Sequence, residues 1–118
     1  MPGYLILIYG DEQRWNAMSP EEEQQIHAGH RAFQEMAGTA VRAVAELEPS
    51  SAAVTLRRGT DGSPVLSDGP FLESKEVVGG FYLVDAADRA EVVRYASNLA
   101  EALQDHSGVE IIPLLQRS

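Results

Sequence analysis

The sequence predicts an α+β domain in which one antiparallel-rich sheet carries two helices on a single face. Three observations lead there. The chain has 118 residues, enough for one domain, residues 1–118, with one small core. Two amphipathic helical segments stand among five or six short strands, in the order strand, helix, two strands with a small hairpin, strand, helix, strand. The opening run Tyr4–Tyr9 is apolar without polar alternation, as a strand covered on both faces is. Together these give the ferredoxin-like plan.

Each element has a local cause. Gly3-Tyr4-Leu5-Ile6-Leu7-Ile8-Tyr9 is rich in β-branched and aromatic residues, and Gly10-Asp11 breaks it. Ser19-Pro20-Glu21-Glu22 starts a helix: Ser19 caps, Pro20 suits the first helical position, and Glu22 closes a capping box. Ile26, His30, Phe33 and Ala37 then recur on one face, so the helix runs from about Pro20 to Ala37 and ends near Gly38. Val41–Leu47 reads as a strand, and Pro49-Ser50-Ser51 punctuates it. Ala53–Arg57 pairs as a hairpin with Val65–Ser67 across Gly59-Thr60-Asp61-Gly62, and Asp68-Gly69-Pro70 ends it in a tight turn. Phe81–Val84 follows Gly79-Gly80 as another buried strand. Asp88 caps a second helix with Glu91 as partner. Its expected inner stripe is Val92, Val93, Ala96, Ala100 and Leu103, with Gly108 as the stop. Val109–Ile112 is the last strand before Pro113.

Charge and composition exclude several classes. The chain has no cysteine, which removes disulfides, iron–sulfur clusters, cysteine-based zinc sites and thiol nucleophiles. Nine basic against 18 acidic residues leave a net charge of −9, so the surface repels phosphate backbones and direct nucleic-acid binding is not expected. No apolar run approaches the roughly 20 residues that span a bilayer, and a secretory signal is not expected. The expected compartment is the cytoplasm. Phosphate-cradling motifs and a nucleophile elbow are missing, and no cofactor or metal is expected.

A sheet with helices on one side leaves its other side bare. Tyr4–Tyr9 and Phe81–Val84 bring apolar side chains to both faces, and a bare apolar face of several hundred Å² is rare in monomers. A second copy, packed sheet to sheet across a two-fold axis, is the cheapest cover. A homodimer is therefore expected.

His30 is the first candidate for chemistry. It falls inside the apolar stripe of the first helix, while His27 sits at its edge. A half-buried histidine is most often structural; the sharper reading is a general acid/base in a pocket between helix and sheet. A His-x-x-His metal site lacks evident further ligands. Asp68 is the second candidate, either tying its own turn or standing as a carboxylate that orients a histidine or takes a proton. Glu73, Lys75 and Glu76 form a charged turn in which Lys75 is the sole lysine. Arg57-Arg58 could hold an anion or guard an edge strand. Tyr9 and Trp15 are candidates for a pocket mouth, or plain packing. His106 is expected near the end of the second helix, against its carbonyls.

The stretch Ser67-Asp68-Gly69-Pro70-Phe71-Leu72-Glu73-Ser74-Lys75-Glu76, followed by Gly79-Gly80-Phe81-Tyr82-Leu83-Val84, resembles the signature of the YCII-related proteins, and more narrowly of their DGPF branch. Tyr4–Glu12, Trp15, Met18–Glu22 and Val109–Pro113 are similar to the same branch, so the resemblance covers nearly the whole chain. It implies a dimeric α+β barrel built from ferredoxin-like halves. It also implies a His–Asp pair in a cleft, because some relatives are dehalogenating lyases that depend on one; His30 and Asp68 are the positions to which that pair carries over. Tyr9, Trp15, His27, Phe71 and Lys75 would then bind substrate. One departure is Ile112, where an arginine is expected before the terminal proline. Another is Asp105-His106-Ser107, in place of a proline-containing loop.

Two functions compete at this point. One is a homodimeric small-molecule-binding protein or cofactor-independent enzyme doing lyase- or isomerase-type proton transfer. The other is a non-catalytic module linked to an extracytoplasmic-function sigma factor, since DGPF proteins are often encoded beside one.

Overall fold

In the computed structural model, which describes residues 1–71 and 74–116, the chain runs β1 (Gly3–Asp11), α1 (Glu12–Asn16), α2 (Pro20–Ala37), β2 (Val41–Glu46), β3 (Val54–Arg58), β4 (Pro64–Asp68), β5 (Glu76–Asp85), α3 (Arg89–Ala96) and β6 (Ser107–Pro113). Single 3-10 turns follow α2 and precede β3 and β6. Four strands form one antiparallel sheet in the order β2-β5-β1-β6. With the β3–β4 hairpin set aside as an insertion, this is the ferredoxin-like order the sequence predicts.

The helical signals act as read. Ser19 accepts a hydrogen bond from the Glu22 amide at 3.2 Å, and Glu22 accepts one in return from the Ser19 amide. Gly38 then ends α2 at φ +53°, a backbone state that costs glycine little. Phe33 and Ala37 from α2, with Val92, Ala96 and Leu99 from the second helical region, close over Tyr4, Ile6, Ile8, Tyr82 and Val84. This single layer is the core.

Among the described residues, nothing covers the opposite face in this way. Residues directly paired across a sheet point the same way, so Leu5, Leu7 and Tyr9 share that face with Leu83, Phe81 and Val78 on one side and with Ile112 on the other. Ala43 and Ala45 extend it onto β2. These residues are half-buried or exposed, and the buried core lies entirely on the helix side.

The β3–β4 hairpin stands clear of the sheet. Leu56 pairs with Leu66 and Val54 with Asp68 on one face, and the two leucines are 66% and 62% exposed. The protrusion is visible in the dimensions: the radius of gyration is 16.4 Å, against about 13–14 Å for a compact chain of this length.

Two expectations need correcting. The second helix does not reach Leu103: α3 stops at Ala96, and Val93 and Leu103 are exposed. Side chains end it. Ser97 Oγ donates to the Val93 carbonyl at 2.6 Å and Asn98 Nδ2 to the Tyr95 carbonyl at 3.0 Å, taking acceptors a further turn would use. The chain then crosses α2 at Gly29, where an added Cβ would come within 2.6 Å of the Asn98 carbonyl. His106 accordingly does not cap that helix. It is buried beside β6, with Nδ1 2.8 Å from Ser107 Oγ and Nε2 3.8 Å from Glu22. The short helix α1 is a further element that the sequence reading did not anticipate. Among the described residues, no helix is long and apolar enough to cross a membrane.

Candidate functional site

Helix α2 brings His30 over the middle of β5, and the ring is held at both nitrogens. Nδ1 lies 2.6 Å from the Tyr82 hydroxyl and Nε2 2.8 Å from Glu101 Oε2. Gln34, one turn along α2, donates from Nε2 to the same hydroxyl at 3.3 Å. Glu101 comes from the 3-10 turn Ala100–Ala102. Its side chain is 7% exposed and that of His30 24%.

These partners assign the protons. The Glu101 carboxylate only accepts, so a neutral His30 ring donates its proton from Nε2 to Glu101, Nδ1 accepts from the Tyr82 O–H, and the Tyr82 oxygen accepts from Gln34. Burial, reinforced by the Glu101 charge and opposed by the Gln34 hydrogen bond, holds the Tyr82 hydroxyl above the usual tyrosine range. It therefore remains a donor. The same set accommodates a protonated ring: imidazolium donates at Nδ1 to the Tyr82 oxygen and at Nε2 to Glu101. The displaced hydroxyl proton then turns to Gln34 Oε1 after an amide flip. His30 can take up and return a proton with every partner still hydrogen-bonded, which is what a general acid/base needs.

Beside His30 opens a cavity of about 560 Å³ lined by His27, Trp15, Ile26, Gln34, Tyr82 and Glu101, among others. Its size suits a small molecule. Trp15 forms one wall, donating from Nε1 to Ser107 Oγ at 2.8 Å, and its ring rests on glycine: a Cβ at Gly79 would lie 2.7 Å from Trp15 Cη2. Glu12 of α1 accepts from the Ser50 amide at 2.8 Å and from the Ser50 hydroxyl. Those bonds, the hydroxyl first, hold its carboxyl below the usual glutamate range despite some opposing desolvation. This clasp joins α1 to the turn before β3 at the cleft rim.

Of the residues singled out from sequence, His30, His27 and Trp15 meet at this cleft. Tyr9 does not; it lines a second hollow of about 630 Å³ with Pro49, Pro70 and Val78. Asp68 ends β4 on the exposed hairpin and makes no hydrogen bond to His30. The ring's carboxylate partner in this chain is Glu101. Phe71 is exposed, with the Arg57 guanidinium stacked 4.6 Å above its ring. Lys75 is exposed and forms no ion pair among the described residues, and Glu73 lies outside those residues. Ile112 pairs with Leu5 on the bare sheet face.

Sequence reasoning missed Glu101, Tyr82 and Gln34. The available signals were a lone charge in Ala100-Glu101-Ala102-Leu103 and a hydroxyl in an otherwise apolar strand. Among the described residues no three His, Asp or Glu side chains converge as metal ligands do.

Comparison with known proteins covers nearly the whole chain. The profile of the YCII-related domain matches residues 3–115. An uncharacterized protein of Rhizobium meliloti is 37% identical over 113 residues, which is 94% of this chain and 90% of that protein. The chain belongs to the YCII-related family.

Proposed function

We propose that this protein is a homodimeric small-molecule-binding protein whose cleft carries out proton-transfer chemistry of the lyase or isomerase type without a cofactor, with His30 as the acid/base. The observation that carries this reading is the Tyr82–His30–Glu101 chain at the wall of a ligand-sized cavity. Glu101 takes the role expected of Asp68: it orients the imidazole and balances the charge that appears when the ring is protonated. Tyr82 and Gln34 fix the other nitrogen. His27 and Trp15 border the substrate.

The dimer rests on two surfaces. One is the bare apolar face of the sheet, centred on Leu7 and Phe81. The other is the hairpin, because two isolated strands are marginally stable in water and Leu56 and Leu66 lie open on theirs. A second copy covers both.

A thermal-shift screen of a metabolite library against the wild type and His30→Gln tests the reading. Ligands are expected that raise the wild-type melting temperature and lose that effect in the variant, with turnover of the hits abolished by the same change. Hits that stabilise both proteins equally, or no hit at all, would overturn it.

A further inference from the structure

We infer that His106, buried behind the cleft, is a pH-responsive positioning residue for the Trp15 wall: its protonation loosens the hydrogen bond that pins the indole. The inference concerns how that wall is held and requires no turnover in the cleft.

His106 has no part in the Tyr82–His30–Glu101 chain, yet it is joined to the same cavity. Its side chain is 4% exposed. Nδ1 lies 2.8 Å from Ser107 Oγ, and that oxygen also accepts from Trp15 Nε1 at 2.8 Å. One hydroxyl thus stands between a buried imidazole and a ring that lines the cavity. An indole N–H only donates, so it takes a lone pair of the oxygen and leaves the hydroxyl proton for His106. On the other side of the ring, Nε2 is 3.8 Å from Glu22 Oε2, and the carboxylate charge favours a proton there. Neutral His106 therefore carries its proton on Nε2 and accepts from Ser107 at Nδ1. Trp15 N–H, Ser107 O–H and His106 form one directed chain, in which each bond strengthens the next.

Protonation reverses the middle link. Imidazolium donates from both nitrogens, so Nδ1–H turns onto Ser107 Oγ and competes there with the indole N–H. The hydroxyl proton is displaced from its acceptor, and Trp15 is left with a shared, weaker one. Nε2–H is drawn toward Glu22 at the same time. Beneath the indole lie Gly10 and Gly79, which have no side chains to hold the ring once that bond weakens.

The other charged groups on the surrounding elements are already engaged. Arg14 of α1 pairs with Asp105 at 3.3 Å, both exposed. Asp11, at the end of β1, accepts from the Gln13 amide at 2.9 Å. Glu101, from the 3-10 turn, is bound to His30. Glu12, the other tether of α1, is held below the usual glutamate range by Ser50, so that clasp stays ionised in mild acid.

Trp15 is the single tryptophan, so its emission and its quenching by acrylamide read the wall in the intact protein. The ring resonances of His106 read the proton, and both are followed from about pH 8 to about pH 5. A red shift with faster quenching is expected on acidification, at the same midpoint as the His106 resonances. His106→Asn keeps an acceptor for the Ser107 hydroxyl and takes up no proton, so its emission should stay that of the alkaline protein throughout. Ser107→Ala cuts the link: His106 should still titrate, and the emission should no longer follow it. This second variant leaves the histidine in place and decides the matter even where His106→Asn fails to fold. Wild-type emission that is constant over the range would overturn the inference. So would a step that persists unchanged in Ser107→Ala, or one that survives in His106→Asn and disappears in His27→Gln or His30→Gln.

Discussion

Oε2 of Glu101 accepts a hydrogen bond from Nε2 of His30 at 2.8 Å, joining the turn before β6 to the middle of α2 across 71 positions of sequence. Both side chains are largely removed from water, so the bond is short of solvent competition. Glu101→Ala leaves the ring N–H without its acceptor and should cost about 1–3 kcal/mol. Glu101→Gln keeps an acceptor and should recover part of that loss. Urea denaturation of the two variants measures it; equal stability of Glu101→Ala and wild type would show the bond to be incidental.

Two groups set the pH dependence, with opposite signs. Tyr82 is held above the ordinary tyrosine value of 10.0, so folding favours its protonated form. That stability is intact below pH 10.0 and is lost as the pH rises from there through the folded-state value. Tyr82→Phe should lack this alkaline loss. Glu12 is held below 4.5, so its contribution is present above that pH and disappears as the pH falls through the lower folded-state value. Ser50→Ala should reduce the acid-side change. Stability curves of both variants parallel to wild type would contradict these assignments.

Trp15 sits where it does because Gly79 has no side chain. Gly79→Val should displace the indole from its seat and break its hydrogen bond to Ser107 Oγ. As the protein has one tryptophan, its emission reports the change without ambiguity: a red shift and faster quenching by iodide are expected. Unaltered emission would place the ring elsewhere.

The bare sheet face gives a mass measurement. Leu7 and Phe81 face each other across β1 and β5, and a stable two-fold interface on that face would bury roughly 1,200–2,000 Å² in total. Sedimentation should give a particle of about twice the 12.8 kDa chain. Leu7→Asp sets a charge at the centre of that contact and should return the monomer. A wild-type monomer in dilute solution would refute the packing.

What the sequence made legible was local. Ser19-Pro20 with Glu22 located the start of α2, and the stripe through His30 and Phe33 turned the histidine toward the sheet. Apolar runs placed β1 and β5, alternation placed β2, and the turn glycines placed the hairpin. The carboxylate partner was not legible, because nothing near Glu101 encodes a contact 71 positions away. The end of α3 was hidden for another reason: Ser97 and Asn98 divert the last carbonyls through their side chains, a competition that apolar spacing does not register. Nor does strand pattern tell whether a hairpin joins the main sheet or stands away from it, as β3 and β4 do.

Everything proposed for the cleft depends on His30 being clamped between a donor, Tyr82, and an acceptor, Glu101. Nitrogen-15 NMR of the imidazole, at a pH where the ring is neutral, reads this directly. The expected spectrum has Nε2 carrying the proton and Nδ1 unprotonated, with Glu101→Ala loosening that preference toward averaging between tautomers. A proton on Nδ1, or a ring already averaging in the wild type, would contradict the clamp.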